Sequence, residues 1–235
     1  MTTQSTPTNA LPNALPEVEH VTAGAAFKTL GLVHRVRLPA ANGQERHPTL
    51  VMVHGLDGNE DVTWIFARSA GPQWAIISPR APFASPTGYR WSELDERGKI
   101  APASFQKGLQ ALERFISRLP QVYPIDPGRL VVLGFSQGAA MCYAYAASHP
   151  VIGVAALGGL LPNFLSDHLT GLKGVPVLML HGTRDETIRI DHAQTTRDRL
   201  LAAGADVTYL ESEVGHKVST EGMQLLKRWL AERLD

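Results

Sequence analysis

Short runs of apolar residues recur along the chain, and most of them are nearly continuous rather than alternating with polar positions. Strands buried on both faces of a sheet have this pattern. It predicts seven strands, at residues 30–38, 49–55, 74–78, 129–135, 151–157, 175–182 and 206–212.

The segments between these runs carry apolar residues at helical spacing. In residues 103–119, for example, Phe105, Leu109, Leu112 and Ile116 recur every three or four positions. Helices are also predicted at residues 137–149, 188–204 and 219–234. This alternation predicts an α/β fold, with a mostly parallel central sheet, helices on both faces and the first one or two strands antiparallel.

The amino-acid composition indicates what kind of domain the chain forms and which partners it is expected to lack. A chain of 235 residues that is 44% hydrophobic and 19% charged is typical of one globular domain. Lysine and arginine together number 22, as do aspartate and glutamate, so we expect no nucleic-acid partner. No apolar run approaches the length of a transmembrane segment. The single cysteine, Cys142, excludes an internal disulfide and is expected to be a core residue.

The first residues are rich in Thr, Pro and Asn and lack a continuous apolar stretch. We therefore predict a flexible tail at residues 1–24, followed by one catalytic domain at residues 25–235. The tail does not resemble a secretory signal, which favours a cytoplasmic location.

A serine lies between two glycines in the stretch GFSQG, with Ser136 at its centre. A predicted strand precedes this stretch and a predicted helix follows it. Such a turn exposes the serine hydroxyl at the edge of the sheet, and Gly134 and Gly138 allow the strand and helix to approach closely. Ser136 is therefore a candidate nucleophile, and the alternative is an ordinary loop serine.

A serine nucleophile needs a base, and the base needs an orienting acid. Asp185 comes a few residues after strand 175–182, at the sheet edge where the serine turn is expected. Glu186 is its nearest rival. Asp191 falls in the next predicted helix, and Asp167 precedes the strand.

The candidate base is His216, in the loop between the last strand and the last helix. His192, the other histidine after Asp185, falls within a predicted helix. His34, His47, His149 and His168 are interpreted as structural. The histidines lack the close pairing of a zinc hydrolase, so we expect neither a metal nor an organic cofactor.

A third strand end supplies hydrogen-bond donors for the charge that develops on the attacked carbonyl. Leu56 follows strand 49–55, and Gln137 directly follows the serine. Their backbone N–H groups are the predicted oxyanion hole. The alternative interpretation is that the segment after strand 49–55 is only a glycine-rich turn with no role in catalysis.

These segments resemble the α/β-hydrolase superfamily and, within it, the carboxylesterase/phospholipase family that includes acyl-protein thioesterases. The matching stretches are VMVHGLDG, ISPRAP, LGFSQGAAM, LHGTRDETI and GHKVS, between residues 49 and 219. The resemblance implies the α/β-hydrolase fold, with Ser136 as nucleophile, Asp185 as acid and His216 as base. Two features depart from the family pattern: Leu56 and Asp57 precede the oxyanion-loop glycine, and a tryptophan–aromatic–aspartate segment is replaced by GYRWSELDER.

The expected function is hydrolysis of carboxylic esters or thioesters through an acyl-enzyme. Trp91, Leu161 and Phe164 are candidate substrate-binding residues, with packing against the core or the sheet edge as the alternative. Residues 158–174 are too few for a large cap domain.

An amidase, peptidase or lactone hydrolase using the same triad remains an alternative, as does a catalytically silent binding protein. We expect a small-molecule or lipid-like ester substrate, and a homodimer is one open alternative for the assembly.

Overall fold

The structure, a computed structural model, describes residues 17–40, 46–166 and 169–234. In chain order its strands are β1 (Glu19–Val21), β2 (His34–Arg37), β3 (His47–Val53), β4 (Ala75–Pro79), β5 (Phe83–Ala84), β6 (Tyr89–Arg90), β7 (Ile125–Phe135), β8 (Gly153–Leu157), β9 (Pro176–Gly182) and β10 (Asp206–Ser212). Its α-helices are α1 (Gly24–Leu30), α2 (Pro102–Arg118), α3 (Gln137–Ser148), α4 (Ile190–Ala202) and α5 (Thr220–Ala231).

Eight of the strands form one sheet in the order β1-β2-β4-β3-β7-β8-β9-β10, and β5 and β6 form a separate hairpin. Within this sheet, β1 and β2 are antiparallel to their neighbours, and the pairings among β4, β3, β7, β8, β9 and β10 are all parallel. The predicted mostly parallel sheet with antiparallel first strands is thus confirmed. Because β3, β7, β8, β9 and β10 run the same way, the loops that follow them meet at one edge.

Two apolar layers cover the faces of the sheet. Val51 and Val53 point into the layer formed with Phe105 and other residues of α2 and α3. Leu50, their neighbour on the strand, points to the opposite layer, with Trp229 of α5. This alternation is the two-residue period of a strand, and it confirms the prediction of helices on both faces.

The N-terminal part differs from the prediction. The expected strand 30–38 is wrong at its start, because Leu30 ends α1 and only His34–Arg37 pairs in the sheet. Gly31 closes that helix with φ of 81°, a left-handed conformation that favours glycine. The sheet already begins at Glu19, before the predicted boundary at residue 25. The rest of the predicted tail, residues 1–16, lies outside the described residues.

The connection from β8 to β9 spans residues 158–175. Its described parts form two short 3₁₀ turns, Asn163–Leu165 and Thr170–Leu172. Across the described ranges, no helix combines the length and the apolar character needed to cross a membrane.

Candidate active site

Ser136 occupies the sharp turn between β7 and α3. Its φ of 54° and ψ of −118° are unusual for a residue with a side chain. The backbone N–H of Ser136 donates to the carbonyl of Leu157 at the end of β8 (2.9 Å), which holds the turn against the neighbouring strand. Backbone strain of this kind persists where the surroundings enforce it, and a nucleophile turn is one such place.

The two glycines that flank Ser136 allow close backbone packing. A Cβ atom on Gly134 would overlap the carbonyl oxygen of Gly138, and one on Gly138 would overlap the carbonyl oxygen of Val53 in β3. Any larger residue at either position would therefore push α3 away from the sheet.

Asp185 and His216 form a direct hydrogen bond. The His216 Nδ1–H donates to Asp185 Oδ2 over 2.7 Å. The other oxygen of Asp185 accepts the backbone N–H groups of Thr187 and Ile188, each at 2.9 Å. The Asp185 side chain is fully buried, whereas that of His216 is 23% exposed. One oxygen of the carboxylate is thus held by the loop, and the other orients the imidazole of His216.

The rival residues do not share this arrangement. Glu186 is exposed, and Asp191 pairs with Arg189 on the surface. His192 is exposed on α4, and Asp167 lies outside the described residues.

The His216 ring lies beside the serine turn. Its centroid is 4.9 Å from that of Phe135, the residue before Ser136. Gly158, just after β8, also adjoins this ring, because a Cβ on it would lie in van der Waals contact with His216 Cε1 at 3.6 Å. The loops after β7, β8, β9 and β10 therefore bring the predicted nucleophile, acid and base to one sheet edge.

The segment after β3 also approaches the serine. A Cβ on Gly55 would lie 3.1 Å from Ser136 Cβ, so the backbone that leads into Leu56 passes directly beside the Ser136 side chain. Asp57 has φ of 60°, which turns the chain sharply after Leu56. Gln137 is the first residue of α3, where backbone N–H groups lack helical partners. Leu56 and Gln137 thus flank Ser136 from two sides.

His54 anchors the turn that carries Leu56. It is fully buried, its Nε2 accepts the Ala81 N–H (2.9 Å) and its Nδ1–H donates to the Gly55 carbonyl (2.7 Å). Because Nε2 accepts, the proton of the neutral ring lies on Nδ1. Burial lowers the pKa of His54 from its ordinary value of 6.5 to about 4.

We therefore expect His54 to make the protein less stable in mild acid. The unfolded chain protonates this residue below about pH 6.5 and the folded chain only below about pH 4, so the free energy of unfolding falls as the pH drops between these values. One pKa unit corresponds to 1.36 kcal/mol, so the expected loss between pH 7 and pH 4.5 is about 2 kcal/mol from this residue. Urea unfolding at both pH values measures it.

The matched comparison is His54→Gln, which removes this titration and retains the others. Its free energy of unfolding should fall less over the same pH range than that of the parent protein. An equal fall in both proteins would show that His54 is not the cause.

Trp91 lies behind the site rather than on its surface. The side chain has no exposed area, and its indole N–H donates to the His54 carbonyl (3.1 Å). Its backbone N–H donates to Gln137 Oε1 (2.7 Å), and Gln137 Nε2 donates to the carbonyl and hydroxyl of Ser92. Of the two alternatives for Trp91, the structure thus favours packing in the core: it links the turn after β3 to the first residue of α3.

Leu161 and Phe164 lie on the connection after β8. Leu161 is buried, and its N–H donates to Thr196 on α4 (2.9 Å). Phe164 is 38% exposed and packs edge-on against Phe105 of α2. Both line a cavity beside Asp185. Within residues 17–40, 46–166 and 169–234, no cluster of three or more His, Cys, Asp or Glu residues has the arrangement of a metal site.

Sequence reasoning did not identify two supporting groups. His181 is buried at the end of β9 and donates to the Ile188 carbonyl (2.7 Å), which holds the loop around Asp185. Glu60, in the segment after β3, accepts two hydrogen bonds from Arg80, each 2.6 Å. The ion pair with Arg80 outweighs burial and lowers the pKa of Glu60 to about 2. In the sequence, the role of His181 was indicated only by its position at a strand end, and no sequence feature indicated the role of Glu60.

Comparisons with known proteins show the family to which the chain belongs. The family model described as Phospholipase/Carboxylesterase matches residues 39–234. Acyl-protein thioesterase 1 homolog 1 of Dictyostelium discoideum is 28% identical over 208 residues, which cover 79% of this chain and 90% of that protein. Acyl-protein thioesterase 1 of Yarrowia lipolytica is 26% identical over 222 residues, covering 85% and 96%.

Among solved structures, esterase PE8 superimposes with a TM-score of 0.72 at 25% sequence identity. The match covers 83% of this chain and 96% of that of the esterase.

Proposed function

The chain belongs to the phospholipase/carboxylesterase family of α/β hydrolases and hydrolyses carboxylic esters or thioesters, and we propose that it does so through an acyl-enzyme formed on Ser136. His216 acts as the base and Asp185 as the acid that orients it. The backbone N–H groups of Leu56 and Gln137 form the oxyanion hole.

The hydrogen bond between Asp185 and His216 determines how the proton moves. Because His216 Nδ1–H donates to Asp185, Nε2 is unprotonated and accepts the hydroxyl proton as Ser136 attacks the substrate carbonyl. The carbonyl oxygen becomes negative, and the N–H groups of Leu56 and Gln137 stabilise it, each by about 3 kcal/mol in the transition state.

The same proton then leaves with the alcohol or thiol. His216 Nε2–H protonates the leaving group as its bond to the carbonyl carbon breaks, and the acyl group stays on Ser136. Water replaces the leaving group, gives a proton to His216 and attacks the acyl-enzyme, which releases the carboxylic acid and restores the serine.

The observation that carries the proposal is the 2.7 Å hydrogen bond between His216 and the buried Asp185, at the sheet edge that also carries the strained Ser136 turn. A fluorophosphonate reagent tests it, because such reagents phosphonylate activated serines. Mass spectrometry should locate the adduct on Ser136, and unlabelled protein would contradict the proposal. A panel of p-nitrophenyl esters and acyl thioesters of graded length, with an anilide and a lactone added, then identifies the bond that is cleaved.

We expect no interfacial activation. Only residues 158–175 separate β8 from β9, and a connection of this length cannot form a cap with its own core. With no large element to open, turnover does not wait for a lipid surface. The rate with p-nitrophenyl butyrate should rise hyperbolically up to the solubility limit. An abrupt increase once the substrate forms droplets would show instead that this connection closes the site.

A cytoplasmic location, a lipid-like substrate and a homodimeric assembly stay predictions for this protein. Size-exclusion chromatography with light scattering measures the assembly directly.

A further inference from the structure

A cavity of about 380 Å³ lies next to the proposed catalytic residues. Its walls are residues 98–100 before α2, residues 160–164 after β8, residues 187–188 after Asp185, and one face of α4. Its volume is at the small end of ligand sites, which span about 300–1,000 Å³. It therefore suits a short substrate group.

Two walls of this cavity adjoin the proposed catalytic residues. Thr187 and Ile188, which donate their N–H groups to Asp185, both line it. On the other side a Cβ on Gly159 would lie 2.8 Å from the carbonyl oxygen of Ser136, and the next residue, Leu160, lines the cavity. The backbone that leads into this cavity wall thus packs against the serine turn, and Leu160 lies one residue beyond the contact.

The cavity combines an apolar wall with positive charge. Ile100, Leu161 and Phe164 supply apolar surface, and Lys99, His192 and Arg199 supply cationic or protonatable groups. Among the described residues that line it, none is an aspartate or glutamate.

Arg199 is oriented by a hydrogen bond, and among the described residues it has no ion-pair partner. It donates to Asn163 Oδ1 across the cavity (2.8 Å), and no ion pair found among the described residues includes Arg199 or Lys99. A guanidinium binds a carboxylate through two parallel hydrogen bonds. An oriented arginine beside an apolar wall therefore matches an acyl chain that ends in a carboxylate.

We propose that this cavity holds the acyl part of the substrate and selects short acyl chains that end in a carboxylate, as in the monoesters of dicarboxylic acids. The inference rests on the proposed function. The acyl part is assigned to the cavity because it stays on Ser136 while the leaving group departs past the partly exposed His216. The methylene chain lies on the apolar wall, and its terminal carboxylate pairs with Arg199.

The test compares two p-nitrophenyl esters whose acyl chains end either in a free carboxylate or in its neutral methyl ester. One is the p-nitrophenyl monoester of adipic acid and the other is its neutral methyl diester analogue, p-nitrophenyl methyl adipate. We expect kcat/KM to be about tenfold higher for the anionic ester, the lower end of the effect of a charge-assisted hydrogen bond, since the cavity is open to solvent. The preference should shrink at high salt.

Arg199→Gln should remove most of this preference, mainly through a higher KM for the anionic ester. Arg197→Gln is the matched control, because Arg197 lies on the same helix, pairs with Asp198 and does not line the cavity. It should preserve the preference.

A parent enzyme that hydrolyses the neutral ester equally well or better would overturn the inference, as would an unchanged preference in Arg199→Gln. No release of p-nitrophenol from either ester would count against the proposed function instead.

Discussion

Replacing Ser136 by alanine is expected to lower kcat by about a million-fold, the loss found when a catalytic triad that acts as a unit loses its nucleophile. The change removes one oxygen atom at the sheet edge and no core volume. Steady-state hydrolysis of p-nitrophenyl butyrate measures the loss, with uncatalysed hydrolysis subtracted.

Two controls keep this result interpretable. The thermal midpoint of Ser136→Ala should stay close to that of the parent, because alanine keeps the Cβ responsible for the steric cost at φ of 54° and loses only the hydroxyl oxygen. Ser117→Ala, on the exposed side of α2, should leave both stability and activity near the parent values. Activity of Ser136→Ala within tenfold of the parent would refute its assignment as nucleophile.

Replacing His216 by alanine is expected to be comparably severe, because it removes the proposed base. Asp185→Asn should be milder, at about ten-thousand-fold, since a base remains but is no longer held as the correct tautomer. The asparagine amide donates toward His216 Nδ1 and leaves the ring proton on Nε2, where an acceptor is needed. Values of kcat for both variants test this order.

His192→Ala is the matched control for the base. This histidine also follows Asp185 in the chain, but it is exposed on α4 and faces the cavity. Loss of activity in His192→Ala with activity retained in His216→Ala would show that the base is misassigned.

The fold was largely predictable because most of its strands and helices have a recognisable hydrophobic pattern within their own residues. Residues 130–135 before Ser136 carry no charged or polar side chain, and they form the second half of the central strand β7, whose residues contribute to both apolar layers. The N-terminal part was less predictable. Helix α1 has seven residues and β1 has three, so neither carries enough apolar periodicity to be read from the sequence.

The candidate triad was also predictable, for a reason of topology. In a parallel sheet each strand ends at the same edge, so residues that follow strands β7, β9 and β10 approach one another although they are far apart in the chain. Ser136, Asp185 and His216 each follow such a strand end, and this position together with their order along the chain made them the preferred candidates.

The sequence by itself thus determined the layers of the fold, the serine turn and the order of the three candidate catalytic residues, because local spacing and strand ends carry that information. Only the tertiary structure decided what surrounds them. Trp91 is buried behind the site because Gln137, 46 residues away, binds its backbone, and Arg199 faces a cavity because Asn163, 36 residues away, orients it. Contacts across such separations depend on how the elements pack, and no local pattern of residues encodes them.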